Sequence, residues 1–297
     1  MKWISVFVVS TLLFINTAFS VYKPNVIYGE DNRVDLYEIQ NQAVLNAAKS
    51  TAAVISTRRL KSQGAFFEVL VGNFKTERKM CDTEPFADQP VAAFCSAFLV
   101  GKDLVATAGH CLKVTDCATT AFVFDYALMS SNDPEQARRL AVDNVYYCSR
   151  IIKREYTGSV DYALIQLDRE VKSRDPLKLS TTYPTVGTEV TVIGNPAGLP
   201  TKVADGAQVR RTQTGYFVTN LDTYGGNSGS AVFNSETLEV MGILVRGERD
   251  FVYDSQLSCN VSNYCSMQGC RGEDVTHISY VQDALVQNVP HAVTYLE

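Results

Sequence analysis

"CSAFLVGKDLVATAGHC", Cys95 to Cys111, is the stretch that decides the fold. It reads as an apolar strand, a turn carrying Gly101 and Asp103, and a second apolar strand, with a cysteine at each end. Two such runs joined by a short turn predict a β-hairpin. A hairpin of that length brings its ends together, so Cys95 and Cys111 are placed to form a disulfide. That bridge would fix the loop carrying His110. A histidine among apolar residues is ordinarily a satisfied structural one. A cysteine-closed loop around it raises a second reading, in which His110 is held for chemistry.

Outward from the hairpin the texture is the same. From about Ser50, short runs rich in Val, Phe, Tyr and Ile alternate with turn residues: "TAAVIST", "AFFEVLVG", "NVYYCSRII", "DYALIQL", "TEVTVIGNP", "TGYFVTN", "VMGILVRG". Many short strands at close spacing predict an all-β barrel or sandwich. "YPTVG", Tyr183 to Gly187, reads as a boundary between two β halves. "LYEIQNQAVLNAAKS" has helical character before the first strand. At the far end "ISYVQDALVQNV" predicts a short helix with Val281, Ala284, Leu285 and Val289 on one face.

The chain has 297 residues, 46% hydrophobic and 20% charged, with a net charge of -5. These values fit a globular protein and give no reason to expect nucleic-acid binding. "MKWISVFVVSTLLFINTAFS" places Lys2 before an apolar run from Ile4 to Ile15, then Ala18 and Ser20. This is the pattern of a secretory signal peptide over residues 1–20, cut after Ser20. The run is shorter than the roughly 20 apolar residues a spanning helix needs, and no later segment is apolar enough, so no membrane association is expected. Residues 21–49 then form an N-terminal segment, in part a propeptide on one reading. Export makes the eight cysteines disulfide candidates rather than thiols or metal ligands. Cys259, Cys265 and Cys270 have no histidine near enough to complete a familiar zinc pattern, so no metal is expected. Beyond Cys95 and Cys111, the remaining six allow fifteen pairings, with two of the last three expected to pair locally.

Two further segments bear on His110. In "GSVDYALIQL", Asp161 stands at the mouth of a buried-looking strand, where a carboxylate needs a partner. It is either that or a solvated turn residue. In "YGGNSGSAVF", Tyr224 to Phe233, glycines flank Ser228 just before an apolar strand, and glycine is what a close approach of backbone to ligand requires.

Together, "TAGHC", "DYALIQL" and "GGNSGSA" resemble the signatures of the trypsin-like serine peptidases, in that family's order His, Asp, Ser. The likeness covers roughly Ser50 to Val289. It implies two six-stranded antiparallel barrels, about 50–182 and 183–297, packed with a cleft between them and followed by a short C-terminal helix. It implies a secreted serine endopeptidase, expected as a monomer without cofactor, acting on polypeptides through an acyl-enzyme. Ser228 would be the nucleophile, His110 its base and Asp161 the residue orienting the imidazole. The backbone N–H groups of Gly226 and Ser228 would face the oxyanion. The alternative is a non-catalytic binding protein on the same fold.

Within the family the chain looks most like the bacterial glutamyl endopeptidases, through Asn227 before the serine and the segments "VGKDLVATAGH", "VIGNPAGLPTK" and "NVIYGEDNRVDLYEI". Neutral Asn227 cannot pair with a newly cut N-terminal ammonium, so the site is expected not to be gated in that way. Cleavage between Asn25 and Val26 and a mature start at Val21 both stay open. Leu244 stands where that subgroup carries a histidine on the pocket wall, a departure that counts against acidic preference without closing it. Asp222, six residues before Ser228, favours a basic residue before the scissile bond if it faces the pocket, but bacterial relatives that are not trypsin-like also carry it. Thr223 is a candidate pocket hydroxyl. Arg246 would offset Asp222 or attract acidic substrates, and Gly247 would pair with the substrate as an added strand. Basic, acidic and other preferences all remain open. His277 is expected to be structural and His291 exposed.

Overall fold

The computed structural model describes residues 26–133 and 135–289. The segment over residues 1–20, Val21, Asn25 and His291 lie outside them.

Six strands build the first half: β1 (Thr51–Ser56), β2 (Cys95–Gly101), β3 (Leu104–Thr107), β4 (Thr120–Phe124), β5 (Val145–Tyr156) and β6 (Asp161–Leu167). They close into an antiparallel barrel in the order β4-β5-β6-β3-β2-β1. The hairpin read from the sequence is β2–β3, with Ala97 opposite Thr107 and Leu99 opposite Val105. The second half has β7 (Glu189–Gly194), β8 (Lys202–Thr212), β9 (Tyr216–Thr219), β10 (Ala231–Asn234), β11 (Val240–Arg246) and β12 (Glu273–His277). It runs β7-β10-β11-β12-β9-β8 and closes through a β7–β8 pairing. The protein is therefore two closed six-stranded antiparallel barrels.

The interiors follow from the residues. Phe98, Phe122, Phe124, Phe217 and Phe233 are fully buried, and cutting any of them to alanine costs about 3–5 kcal/mol. One apolar cluster runs from Phe98 and Leu164 in the first barrel through Ile193, Phe233 and Ile243 in the second. This shared seam fixes the two barrels against each other. Two helices cap it. α1 (Gln42–Lys49) starts at Asn41, whose side chain accepts from the N–H groups of Ala43 and Val44. α2 (Ser279–Asn288) buries Val281, Ala284 and Leu285, the face its spacing predicts.

Four disulfides tie the loops: Cys81–Cys259, Cys95–Cys111, Cys117–Cys148 and Cys265–Cys270. Cys95–Cys111 closes the ends of the β2–β3 hairpin, and a loop of that size contributes about 3 kcal/mol. Cys81–Cys259 spans the greatest chain distance, joining residues 178 apart. A set of this kind fits an oxidising compartment. Among the described residues no helix is long and apolar enough to cross a membrane.

Candidate active site

His110 sits on a single helical turn, Gly109–Cys111, directly after β3. Its Nδ1 lies 2.8 Å from Asp161 Oδ2, and its backbone N–H donates to Asp161 Oδ1 at 3.0 Å. Asp161 opens β6 and is only 1% exposed, so both of its oxygens are satisfied by one residue. A carboxylate accepts only, so Nδ1 carries the proton and Nε2 keeps the free lone pair. The Asp161 backbone N–H in turn reaches Thr276 Oγ1 in β12 at 3.3 Å, across the barrel interface. The sulfurs of Cys95 and Cys111 lie within 4.8 Å of a His110 ring nitrogen. Both are spent in the disulfide, so they offer no thiolate to a metal.

The loop 224–230 is held from several sides. The Asn227 N–H donates to Tyr224 O, the Gly229 N–H to Leu244 O, and the Ser96 N–H to Ser228 O at 2.8 Å. Two glycines are required here. Gly226 has φ +103°, and a Cβ on it would lie 2.7 Å from Asn195 O. Gly229 has φ +92°, and its Cβ would lie 2.0 Å from Ser96 O. Neither the Gly226 nor the Ser228 N–H has a partner among the described residues, although their neighbours do. Ser228 Oγ makes a long 3.4 Å bond to Val245 O. No hydrogen bond links it to His110 in this conformation, although Cys111 Sγ, next to His110, is 3.6 Å from Ser228 O.

Ser96 was not singled out in the sequence. It is fully buried, donates from Oγ to Gly226 O at 2.9 Å and accepts from the Asn195 N–H at 2.9 Å. It thereby pins the loop to the first barrel. Its only signal was a serine inside an apolar strand.

A sequence model of the trypsin-like peptidase domain matches residues 95–243, half of the chain. The chain belongs to the trypsin-like peptidase family. As a member it is a serine endopeptidase. Among solved structures, the peptidase is similar to a Glu endopeptidase in complex with MPD, at 16% identity over 89% of this chain and 99% of that one, with a TM-score of 0.50. It is also similar to the Vibrio cholerae VesB protease, at 16% identity over 86% of this chain and 66% of that one, with a TM-score of 0.51. Neuropsin, a serine protease of mouse brain, matches at 15% identity over 81% of this chain and 96% of that one, with a TM-score of 0.51. At such identities these likenesses speak for the fold. No curated protein sequence matches the chain.

Beside Ser228 the peptidase has a cavity lined by Thr223, Leu244, Arg246, Gly247, Asp250 and Glu273. Asp222 is not part of it. Its carboxylate turns away and accepts the backbone N–H of Tyr28 at 2.7 Å and of Asn32 at 2.9 Å. The position that would make it a specificity residue is thus used to anchor the N-terminal segment. Burial raises its pKa to about 6, and those two N–H groups oppose the rise. Arg246 does not offset it either. Its Nε bonds Asp274 Oδ2 at 2.8 Å and its NH2 group donates to Gly158 O.

The acids lining the cavity are Glu248, Asp250 and Glu273, which sequence reading missed. Glu273 is 2% exposed and accepts from Thr223 Oγ1 at 2.7 Å and from the Glu248 N–H at 3.3 Å. Burial, with Asp250 nearby, raises its pKa to about 8. Asp250, half-buried, accepts from the Gly225 N–H at 2.8 Å and is raised by burial to about 6. Gly247 is exposed at the cavity mouth, and a Cβ there would strike the Glu273 carboxylate.

Val26 is buried, and its N–H and that of Ile27 both donate to Asn263 O. Asn227 instead accepts from Ser230 Oγ. His277 is 7% exposed and packs against Tyr183 and Phe217, with burial lowering its pKa.

Proposed function

We propose that this is a secreted serine endopeptidase that works through an acyl-enzyme on Ser228. The observation that carries the reading is the His110–Asp161 pair beside the Ser228 loop. Asp161 keeps the imidazole in the tautomer whose Nε2 is basic. Ser228 Oγ would exchange its weak contact with Val245 O for that nitrogen when substrate binds, since catalytic hydrogen bonds often tighten only then. Oγ then attacks the scissile carbonyl as its proton passes to Nε2. The oxyanion of the tetrahedral intermediate takes the unpartnered N–H groups of Gly226 and Ser228, each worth about 10²–10³ in rate. Collapse breaks the C–N bond, and Nε2–H protonates the departing amine. Water repeats the sequence to free the acid and regenerate Ser228. Secretion is supported by the leader pattern in residues 1–20 and by the four disulfides.

The test uses the mature protein and a fluorophosphonate probe. Labelling at Ser228, lost in Ser228→Ala and accompanied by loss of casein cleavage in His110→Ala, is the expected result. Casein digestion that survives both substitutions overturns the assignment. A folded protein that neither labels nor cleaves is a binding protein on this fold.

A further inference from the structure

We propose that Glu273, helped by Asp250, selects a lysine or arginine side chain for the cavity beside Ser228, the role that Asp222 does not fill. The inference rests on Ser228 being the nucleophile, because that makes this cavity the seat of the residue before the scissile bond.

Glu273 is almost wholly buried, yet it receives only neutral donors, the Thr223 hydroxyl and the Glu248 N–H. Among the described residues no basic side chain lies within ion-pair distance of Glu273 or Asp250. Arg246 and Arg271 both close on Asp274 instead, and of the two arginines near Asp250, Arg78 and Arg33, the second closes on Asp31. A buried carboxylate without a cation is costly. Here buried Glu273 shares one cavity with half-buried Asp250 and with Glu248, and Asp250 makes Glu273 still harder to ionise. Arg246 also lines the cavity, but its charge is engaged by Asp274, so Glu273 and Asp250 have no positive partner there.

A substrate ammonium or guanidinium supplies that partner. It would form charge-assisted bonds to carboxylates already stripped of water, and a guanidinium can span two acceptors at once. Leu244 on the wall suits the aliphatic stem behind such a head group. A glutamate side chain would bring a third carboxylate to the same place, and an apolar one would leave both acids unpaired. Gly247 keeps the path open, since a side chain there would occupy the space in front of Glu273.

The experiment has two arms. The first measures kcat/KM of the mature enzyme on fluorogenic peptides that differ only in the residue before the cut: Arg, Lys, Leu or Glu. Arg and Lys are expected to lead. The arginine-to-leucine ratio should fall roughly 10- to 100-fold in Glu273→Gln, mainly through KM, and less in Asp250→Asn. The second arm measures benzamidine binding by calorimetry to Ser228→Ala protein, alone and combined with either substitution. It reads the charge of the pocket without catalysis, and about tenfold weaker binding with Glu273→Gln is expected. Asp250→Asn serves if Glu273→Gln does not fold. A wild-type preference for leucine or glutamate overturns the proposal, as does benzamidine affinity unmoved by both substitutions. If no peptide is cleaved, the nucleophile reading fails while the benzamidine arm still decides the charge of the cavity.

Discussion

The two barrels bring their acids to the site in opposite states. In the first barrel a single carboxylate, Asp161, gives both oxygens to His110, on a loop held by the Cys95–Cys111 disulfide. In the second, Asp222 and Glu273 are buried and Asp250 is half-buried near the Ser228 loop. Each accepts only from backbone N–H groups or a hydroxyl. The first arrangement is complete without substrate. The second holds acids that burial makes hard to ionise and that have no cation paired with them, and what would let them ionise has to come from elsewhere. The acid paired with His110 and the acids beside the cavity thus come from different barrels, with different electrostatics.

The largest effect should come from breaking the completed pair. Asp161→Asn keeps the shape but offers an amide where Nδ1–H needs an acceptor, so the imidazole is driven to the wrong tautomer. We expect kcat to fall about 10⁴-fold with KM little changed, equivalent to about 5 kcal/mol of transition-state stabilisation. A loss below tenfold would show that Asp161 does not orient His110, and the contrast between the barrels would fail.

A smaller effect should come from the uncompensated side. Glu273 has a folded pKa of about 8 against an ordinary 4.5, so the folded state holds a proton that the unfolded state has released. Stability therefore falls as pH rises through that window. Asp222 and Asp250, both raised to about 6, add the same sign only at lower pH. His277, lowered from 6.5, acts oppositely and also at lower pH. Lys202, lowered by burial to about 8, acts oppositely as pH nears 8. From pH 6.5 to 8 the slope is still mostly that of Glu273, and about 1 kcal/mol should be lost. Urea unfolding across that range measures it, and Glu273→Gln should flatten the curve. An equally steep fall in the variant would show that Glu273 is not the group withdrawn from water.

This asymmetry also explains what could be read from the sequence. The β2–β3 hairpin, its cysteines and His110 lie within seventeen residues, and local patterning encodes them. The β content was legible because short runs rich in Val, Phe, Tyr and Ile alternate with turn residues; the two barrels followed from the family resemblance, and the buried face of α2 from its spacing. The pocket was not. Glu273 comes from β12, Thr223 and Gly225 from the Ser228 loop, and Asp250 from the turn after β11. Only barrel closure brings them together. Asp222 misled for the related reason that counting back from Ser228 fixes a position along the chain, not a direction in space. The partners that turn it away, Tyr28 and Asn32, are about 190 residues distant. In "GEDVTH" two adjacent acids open an apolar strand, and that was the one available hint.

The smallest expected effect separates the two acids that compete for the specificity role. Asp222→Asn leaves one acceptor oxygen for two backbone N–H groups and turns an NH₂ toward the other. That loses about one hydrogen bond, a cost of about 1 kcal/mol. Removing a carboxylate that burial already disfavours offsets part of it. Hydrogen exchange at the Tyr28 and Asn32 amides should quicken about fivefold, since 1 kcal/mol is a factor of that size. The arginine-to-leucine ratio should stay where it was, because the carboxylate faces the N-terminal segment and not the cavity. If that ratio collapses while exchange at the two amides is unmoved, Asp222 faces the substrate after all. The second barrel would then hold its selecting charge beside the nucleophile loop, not across the cavity on β12.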